Sequence, residues 1–471
     1  MKKKRVFGMI LCLILLLQAG VFPSHAESDV SVTSGCHSAD AAKPLDGSGQ
    51  LLATAKAVVV FELDSQTLIY GWNLDGQIYP SSMVKLMTAL VAYEQGDLSR
   101  SVTVSGGALS SVGIGVVSAG LIAGETLTLK DLMYCMMVGS ANDASAVIAE
   151  HIGGSQENFA RLMNAKAAEL GCTGTNFSNA HGLHDANTYT TARDVLRITQ
   201  AVLAVPELKE MFCTARYTVP ATNLSGERTI LSTNYMMNNE SIQKYYDERV
   251  TGGKTGATDE AGRCLAVTAE GNGMNILAIV MGAEPTYAAD GYTLERFGSF
   301  EEMAELLDYT FDTYQLQQVF GDRQTIAQFP VSGGANSVAV EPGDAVNTVL
   351  PIALDEEALT WTYADVTGNL TAPLKKGQKV SEIQVWYGDL CLAVTDLVTM
   401  HAVSDQITHT EADRIVSGSD AGSWTGMLII FAVLLGVAVL ILAGLMLMKA
   451  IRTWALRARR RRRRIHRRRS R

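Results

Sequence analysis

Three short patterns in this chain could do chemistry together. Ser82-Met83-Val84-Lys85 sets a serine and a lysine three residues apart, just after Pro80, at the start of an apolar stretch. On a helix, side chains at that spacing share one face and lie within reach. A lysine packed among apolar groups loses proton affinity, because desolvation disfavours its charged form. Its neutral amine can then take the proton of the serine hydroxyl and leave a nucleophilic oxygen. The helix N-terminus favours negative charge developing beside it. Ser140-Ala141-Asn142 lies between the apolar runs Leu132–Val138 and Ala144–Ile152. In a tight connection its hydroxyl could relay a proton and its amide could hold a substrate peptide bond. Lys254-Thr255-Gly256 follows Val250-Thr251-Gly252-Gly253 and precedes a hairpin. On an edge strand it would offer a cation and a hydroxyl to a carboxylate, with a glycine that admits a substrate backbone.

Each pattern also has a plainer reading. A second serine–lysine pair, Ser241-Ile242-Gln243-Lys244, sits in a polar stretch with nothing apolar to bury its lysine, and is set aside. Ser232-Thr233-Asn234 repeats the serine–asparagine pattern before a strand-like run, and either copy could be a helix cap or a turn. Lys254 alone could be an exposed strand lysine. The conjunction, in order and in one domain, carries the catalytic reading.

The elements that would position these residues alternate between strands and helices from Leu51 to about Tyr314. Ala55–Phe61 and Thr67–Trp72 read as a strand pair, Ser82–Gln95 as a buried helix, and Leu129–Ile152 as a second long helical region. Leu265–Ala269 and Met274–Gly282 form a hairpin about an Asn-Gly turn, and Phe300–Tyr314 is an amphipathic helix. From Gln318 the texture changes to short alternating runs broken by Gly, Pro and Asp, namely Ser337–Val340, Val346–Ile352, Leu359–Tyr363 and Glu382–Tyr387. These predict a small all-β domain.

The ends set the compartment. A basic start at Lys2–Arg5, an apolar run Val6–Leu17 and Ser24-His25-Ala26 read as a secretory signal peptide. Near the other end, 426–448 holds 23 residues without a charge, long enough to span a bilayer. It is followed by one Lys and twelve Arg, which the positive-inside rule places in the cytoplasm. Between the ends, 22 basic side chains face all 48 acidic ones. So acidic a body repels polyphosphate, and no nucleic-acid partner is expected. The expected order is therefore 1–26 signal peptide, 27–50 polar leader, 51–317 catalytic domain, 318–410 small β-domain, 411–425 linker, 426–448 transmembrane helix and 449–471 Arg-rich cytoplasmic tail. The catalytic domain would lie outside a cell membrane that the chain crosses once. The seven cysteines form no CxxC or Cys/His cluster. Beyond Cys12, six free thiols are the plainer expectation, with one or two disulfides open.

Pro80–Thr88, Ser140-Ala141-Asn142-Asp143-Ala144 and Gly253-Lys254-Thr255-Gly256 resemble the low-molecular-mass penicillin-binding proteins, which are serine D-alanyl-D-alanine carboxypeptidases. Thr175–Asp185 and Asp259–Leu265 are similar too, and Ala372–Gln378 is similar to part of the small C-terminal domain these enzymes often carry. The resemblance implies an α+β, β-lactamase/transpeptidase-like domain, an antiparallel sheet flanked by helices, ahead of the all-β domain and the transmembrane helix. It implies removal of the terminal D-Ala from peptidoglycan pentapeptide stems, acylation by β-lactams, and no cofactor or metal. By resemblance Ser82 is the acylated nucleophile, Lys85 its base, and Ser140 a proton shuttle. Asn142 binds the substrate amide, Lys254 and Thr255 hold the carboxylate beside Gly256, and the Ser82 and Ala257 N–H groups form the oxyanion hole. Arg296 departs from the family pattern, lying further from Leu306-Leu307 than in many relatives, and its role on the carboxylate stays open. His181, His184 and Asp185 could suggest a metal cluster, but no further strong ligand is evident. A DD-endopeptidase, a β-lactamase and a non-catalytic wall-binding scaffold are the competing readings.

Overall fold

A computed structural model describes residues 44–405, apart from 239, 241, 292, 322, 334–336, 365 and 367–369. The signal peptide, most of the leader, the linker, the apolar segment 426–448 and the Arg-rich tail lie outside the described residues. Among the described residues no helix is long and apolar enough to cross a membrane.

Five antiparallel strands form the main sheet: β1 (Ala57–Glu62), β2 (Thr67–Trp72), β3 (Val250–Thr258), β4 (Gly262–Gly271) and β5 (Met274–Ala283), in the order β2-β1-β5-β4-β3. Side chains alternate between faces, so β1, β2, β4 and β5 each feed two cores. Val59, Phe61, Ala266 and Ile279 pack with Leu86, Met87 and Leu90 of helix α1 (Val84–Gln95). That core also holds α2 (Leu129–Met137), α3 (Asn142–Gly153), α4 (Gln156–Glu169) and α5 (Ala192–Leu203). Val58, Val60, Leu265 and Val280 face the other way, onto Phe300, Met303 and Leu306 of α6 (Ser299–Thr313). Burial on both faces explains why these strands read as nearly unbroken apolar runs. The β4–β5 turn is Asn272-Gly273, both residues with φ > 0, as a two-residue hairpin requires.

Two local features differ from the sequence reading. The helix carrying Lys85 begins at Val84, and Ser81–Met83 forms a 3₁₀ turn ahead of it. Ser81 has φ +49, outside the α-helical region, so a continuous helix cannot pass through it. The region 129–152 is two helices. Ser140, at φ +57, turns the chain between them.

The C-terminal strands form a second five-stranded sheet, with Ala327–Pro330, Ser337–Pro342, Leu390–Thr399, Lys379–Tyr387 and Leu359–Tyr363 side by side. Tyr314–Phe320 pairs separately with Val346–Pro351. Among the described residues the chain divides into a large unit, which holds all these strands, and a small one made from 331–333, 371–373 and 403–405. Within the small unit Ser332 and Thr371 form a parallel bridge. Cys135, Cys172 and Cys264 are buried free thiols and Cys213 a half-buried one, but Cys391 is disulfide-bonded, which corrects the expectation of six free thiols.

Candidate active site

Ser82 sits in the 3₁₀ turn, and its hydroxyl lies 2.9 Å from Lys85 Nζ. α1 is buried without interruption from Val84 to Ala92, so Lys85 is enclosed with it and none of its surface reaches solvent. Its amine has two further partners, Asn142 Oδ1 at 2.9 Å and the backbone carbonyl of His181. Burial pushes its proton affinity well below that of a free lysine, and the charge of Lys254 pushes it the same way; Asp143 opposes both. A neutral amine has two N–H donors and one lone pair. The two carbonyl oxygens can only accept, whereas a hydroxyl can donate. The arrangement therefore satisfies a neutral Lys85 completely when its lone pair accepts from the Ser82 O–H.

Ser140 faces the second lysine. Lys254 Nζ donates to Ser140 Oγ at 2.8 Å and to Thr255 O at 3.0 Å. Lys254 is fully buried, and desolvation lowers its pKa to about 7. The sheet order puts β3 at an edge, as expected for a strand that must receive a substrate. Gly256 brings that edge against the Ser81–Met83 turn: a Cβ here would stand 3.3 Å from both Ser81 Cβ and Ser82 N. Ala257 follows, exposed on the same edge.

Asn142 is held from three sides. Its backbone N–H and its Nδ2 both donate to Val117 O, at 2.9 and 3.1 Å, and its Oδ1 accepts from Lys85. One Nδ2 hydrogen is left for a ligand. The neighbouring Asp143 fixes the loop that supplies Val117 O, accepting from Ser118 Oγ and from the backbone N–H groups of Ala119 and Leu121. Arg228 donates to the carbonyls of Ala119 and Gly120 and pairs with Glu125, whose side chain has no exposure to solvent.

All eight residues singled out from the sequence lie in or beside this cluster. Three contributors escaped that reading. The carbonyls of His181 and Val117 belong to the backbone, which leaves no residue-type signal. Thr233 belongs to the second Ser-x-Asn copy, which gave no sign of joining the first, yet its hydroxyl lies 2.6 Å from that of Thr255. The other duplicate does not join the site. Lys244 is exposed over the Tyr245 ring, and its hydrogen bond to Tyr245 raises its proton affinity. Arg296 pairs with Glu301 at 3.7 Å and lines a separate cavity of about 400 Å3 with Lys244, Tyr245 and Phe300. His184 packs edge-on against Tyr79, 3.8 Å from Glu260. His181 is buried, which lowers its pKa to about 4, and its Nδ1 accepts from Leu183 N.

Comparison with known proteins places this geometry. The D-alanyl-D-alanine carboxypeptidase family model matches residues 46–285, and that of the penicillin-binding protein 5 C-terminal domain matches 314–405. D-alanyl-D-alanine carboxypeptidase DacF of Bacillus subtilis is 29% identical over 71% of this chain and 82% of its own length. A D-alanyl-D-alanine endopeptidase of Pseudomonas aeruginosa is 30% identical over 53% of this chain and 78% of its own. The crystal structure of penicillin binding protein 5 from Haemophilus influenzae superposes with a TM-score of 0.59 at 26% identity, covering 76% of this chain and all of that one. With Ser82 in contact with a buried Lys85, a second buried lysine beside Ser140 and a family match over more than half its length, the chain belongs to the D-alanyl-D-alanine carboxypeptidase family of serine peptidases.

Proposed function

We propose that Ser82 is the nucleophile through which this serine-type D-alanyl-D-alanine carboxypeptidase removes the terminal D-Ala from peptidoglycan pentapeptide stems. The observation that carries the assignment is the 2.9 Å contact between Ser82 Oγ and a Lys85 whose proton affinity is depressed by burial. Lys85 takes the hydroxyl proton as Ser82 Oγ attacks the carbonyl of the penultimate D-Ala. The developing oxyanion is received by the N–H groups of Ser82 and Ala257, on the turn and the edge strand that Gly256 brings together. A donor of this kind contributes about 3 kcal/mol to the transition state. The remaining N–H of Asn142 Nδ2 orients the substrate amide. The proton on Lys85 is relayed through Ser140, which is hydrogen-bonded to Lys254, to the departing D-Ala nitrogen, so the C–N bond breaks and Lys85 is neutral again. Lys254 and Thr255 hold the terminal carboxylate. Water then attacks the acyl-enzyme, Lys85 accepts its proton and returns it to Ser82 Oγ as the ester C–O bond breaks, and the shortened stem leaves. A β-lactam carbonyl would meet the same serine and acylate it.

In this reading the catalytic domain works outside the cell membrane. The signal-peptide pattern of 1–26, the uncharged segment 426–448 and the Arg-rich tail from Lys449 support a single-pass anchor with a cytoplasmic C-terminus. The P. aeruginosa relative supports one second reading, endopeptidase action on cross-linked stems.

The test is release of free D-alanine from a pentapeptide ending in D-Ala-D-Ala, compared with Ser82→Ala. Release by the wild type alone establishes reaction and nucleophile together. Cleavage of cross-linked dimers without D-alanine release from the pentapeptide would shift the assignment to endopeptidase.

A further inference from the structure

We infer that Thr233 is the second hydroxyl of a two-pronged clamp on the substrate's terminal carboxylate, and thereby sets the preference for a free C-terminus. The inference rests on the carboxypeptidase reading above and assigns a specificity-determining residue within it.

Thr233 is fixed in place by the chain around it. Its backbone N–H donates to Val138 O at 3.3 Å, two residues before Ser140. The adjacent Asn234 is fully buried, accepts from Met236 N at 3.1 Å through Oδ1, and donates its own N–H to Ser232 Oγ. Asn234 also packs closely against β3, since a Cβ on Gly253 would fall 2.3 Å from its Nδ2. The turn is thus pinned to the Ser140 connection on one side and to the edge strand on the other. Thr233 itself is only half-buried, and its Oγ1 meets Thr255 Oγ1 at 2.6 Å.

Two hydroxyls at that distance have two protons, only one of which their mutual hydrogen bond needs. Both can rotate outward to an incoming acceptor. Their separation is close to that of the two oxygens of a carboxylate, so each can take one oxygen. Lys254, with one N–H left after Ser140 Oγ and Thr255 O, supplies the charge alongside. Arg296, the arginine raised by the sequence for this role, is paired with Glu301 instead. A C-terminal amide is neutral and has one acceptor oxygen; a hydroxyl can still accept from its N–H, but the second charge-assisted bond and the attraction to Lys254 are lost.

The experiment measures kcat and KM of the full-length chain on a D-Ala-D-Ala pentapeptide and on its C-terminal amide, for wild type, T233V and T233S. Removing one donor to a charged acceptor predicts that T233V loses about 10- to 100-fold in kcat/KM on the free acid, chiefly through KM. On the amide the change should stay within about threefold, and T233S should restore the acid preference. Equal losses on acid and amide would mean a merely structural role and overturn the inference, as would an unchanged rate on the acid. Wild type that releases product from neither peptide would overturn the carboxypeptidase reading itself, and the clamp with it. Should T233V fail to fold, T233A carries the same test without a bulkier side chain.

Discussion

The depressed pKa of Lys254 predicts a split between two pH profiles. In the free enzyme its pKa is about 7, because it is fully buried. Lys254 must be protonated to hold a carboxylate, so about half the free enzyme is competent at pH 7 and about a tenth at pH 8. The predicted kcat/KM therefore falls about fivefold between those values and about tenfold per unit beyond. In the complex the carboxylate reverses the balance. A unit charge about 4 Å away at an effective dielectric of about 20 contributes about 4 kcal/mol, close to three pKa units. The bound lysine then titrates well above its free-enzyme value, and kcat stays level across the range in which kcat/KM falls. The sign is that of a folded pKa below the free value: the functional charge is present at low pH and lost as pH rises through about 7. Steady-state kinetics on the pentapeptide from pH 5.5 to 9.5, as rough bounds, reads both profiles. Lys254→Arg, whose side chain stays charged throughout, should lose the alkaline limb even at a lower overall rate. The C-terminal amide, with no carboxylate to hold, should lack that limb with wild-type enzyme. A wild-type kcat/KM that is flat from pH 7 to 9, or a limb that survives in Lys254→Arg, would refute the assignment of this proton to Lys254.

Other outcomes follow from the same geometry. Ser82→Ala should abolish both D-alanine release and covalent labelling by penicillin, a loss of at least about 10⁴-fold in rate, while the melting temperature stays near wild type. Lys85→Met should also prevent acylation, yet raise the urea midpoint at pH 7. A buried amine whose folded pKa lies below its unfolded one opposes folding until pH exceeds the unfolded value, so the midpoint difference should shrink as pH rises. Gly182→Ala should fail to fold or lose activity, since at φ +81 a Cβ there would fall 2.1 Å from Ser81 O. Arg228→Met should destabilise the protein by about 3 kcal/mol in urea titrations, because it leaves the buried Glu125 carboxylate without its ion pair. Glu125→Gln should be milder.

Much of the site was legible in the sequence because its parts are local. Ser82 and Lys85 are three residues apart, and the apolar helix that buries the lysine is itself a sequence pattern. Asn272-Gly273 announced its hairpin, and Lys254-Thr255-Gly256 read as a strand segment open to a ligand. What escaped was long-range or belonged to the backbone. Thr233 joins Thr255 across 22 residues. The same Ser-x-Asn spelling occurs at 140–142 and 232–234, and spelling alone does not separate the two. The His181 carbonyl reaches Lys85 from 96 residues away, in a loop whose histidines drew attention for their side chains. The distances of Arg296 from Glu301 and from the Leu306-Leu307 pair answer different questions, and only the first involves space.

The sequence by itself determined the chemical inventory: a serine with a lysine one helical turn on, a second hydroxyl and amide, and a second lysine on a glycine-rich edge strand. It also determined the two-sided sheet, since strands apolar on both faces must be covered twice. The tertiary structure decided how the inventory is connected. It turned the chain at Ser81 and Ser140 into left-handed conformations that residue type does not call for. It brought a strand edge within van der Waals reach of the nucleophile through Gly256, and set Lys254 close enough to lower the proton affinity of Lys85. The reason is physical: side-chain type sets what a group can donate or accept, but proton affinity depends on burial and neighbouring charge, which exist only once distant segments have packed.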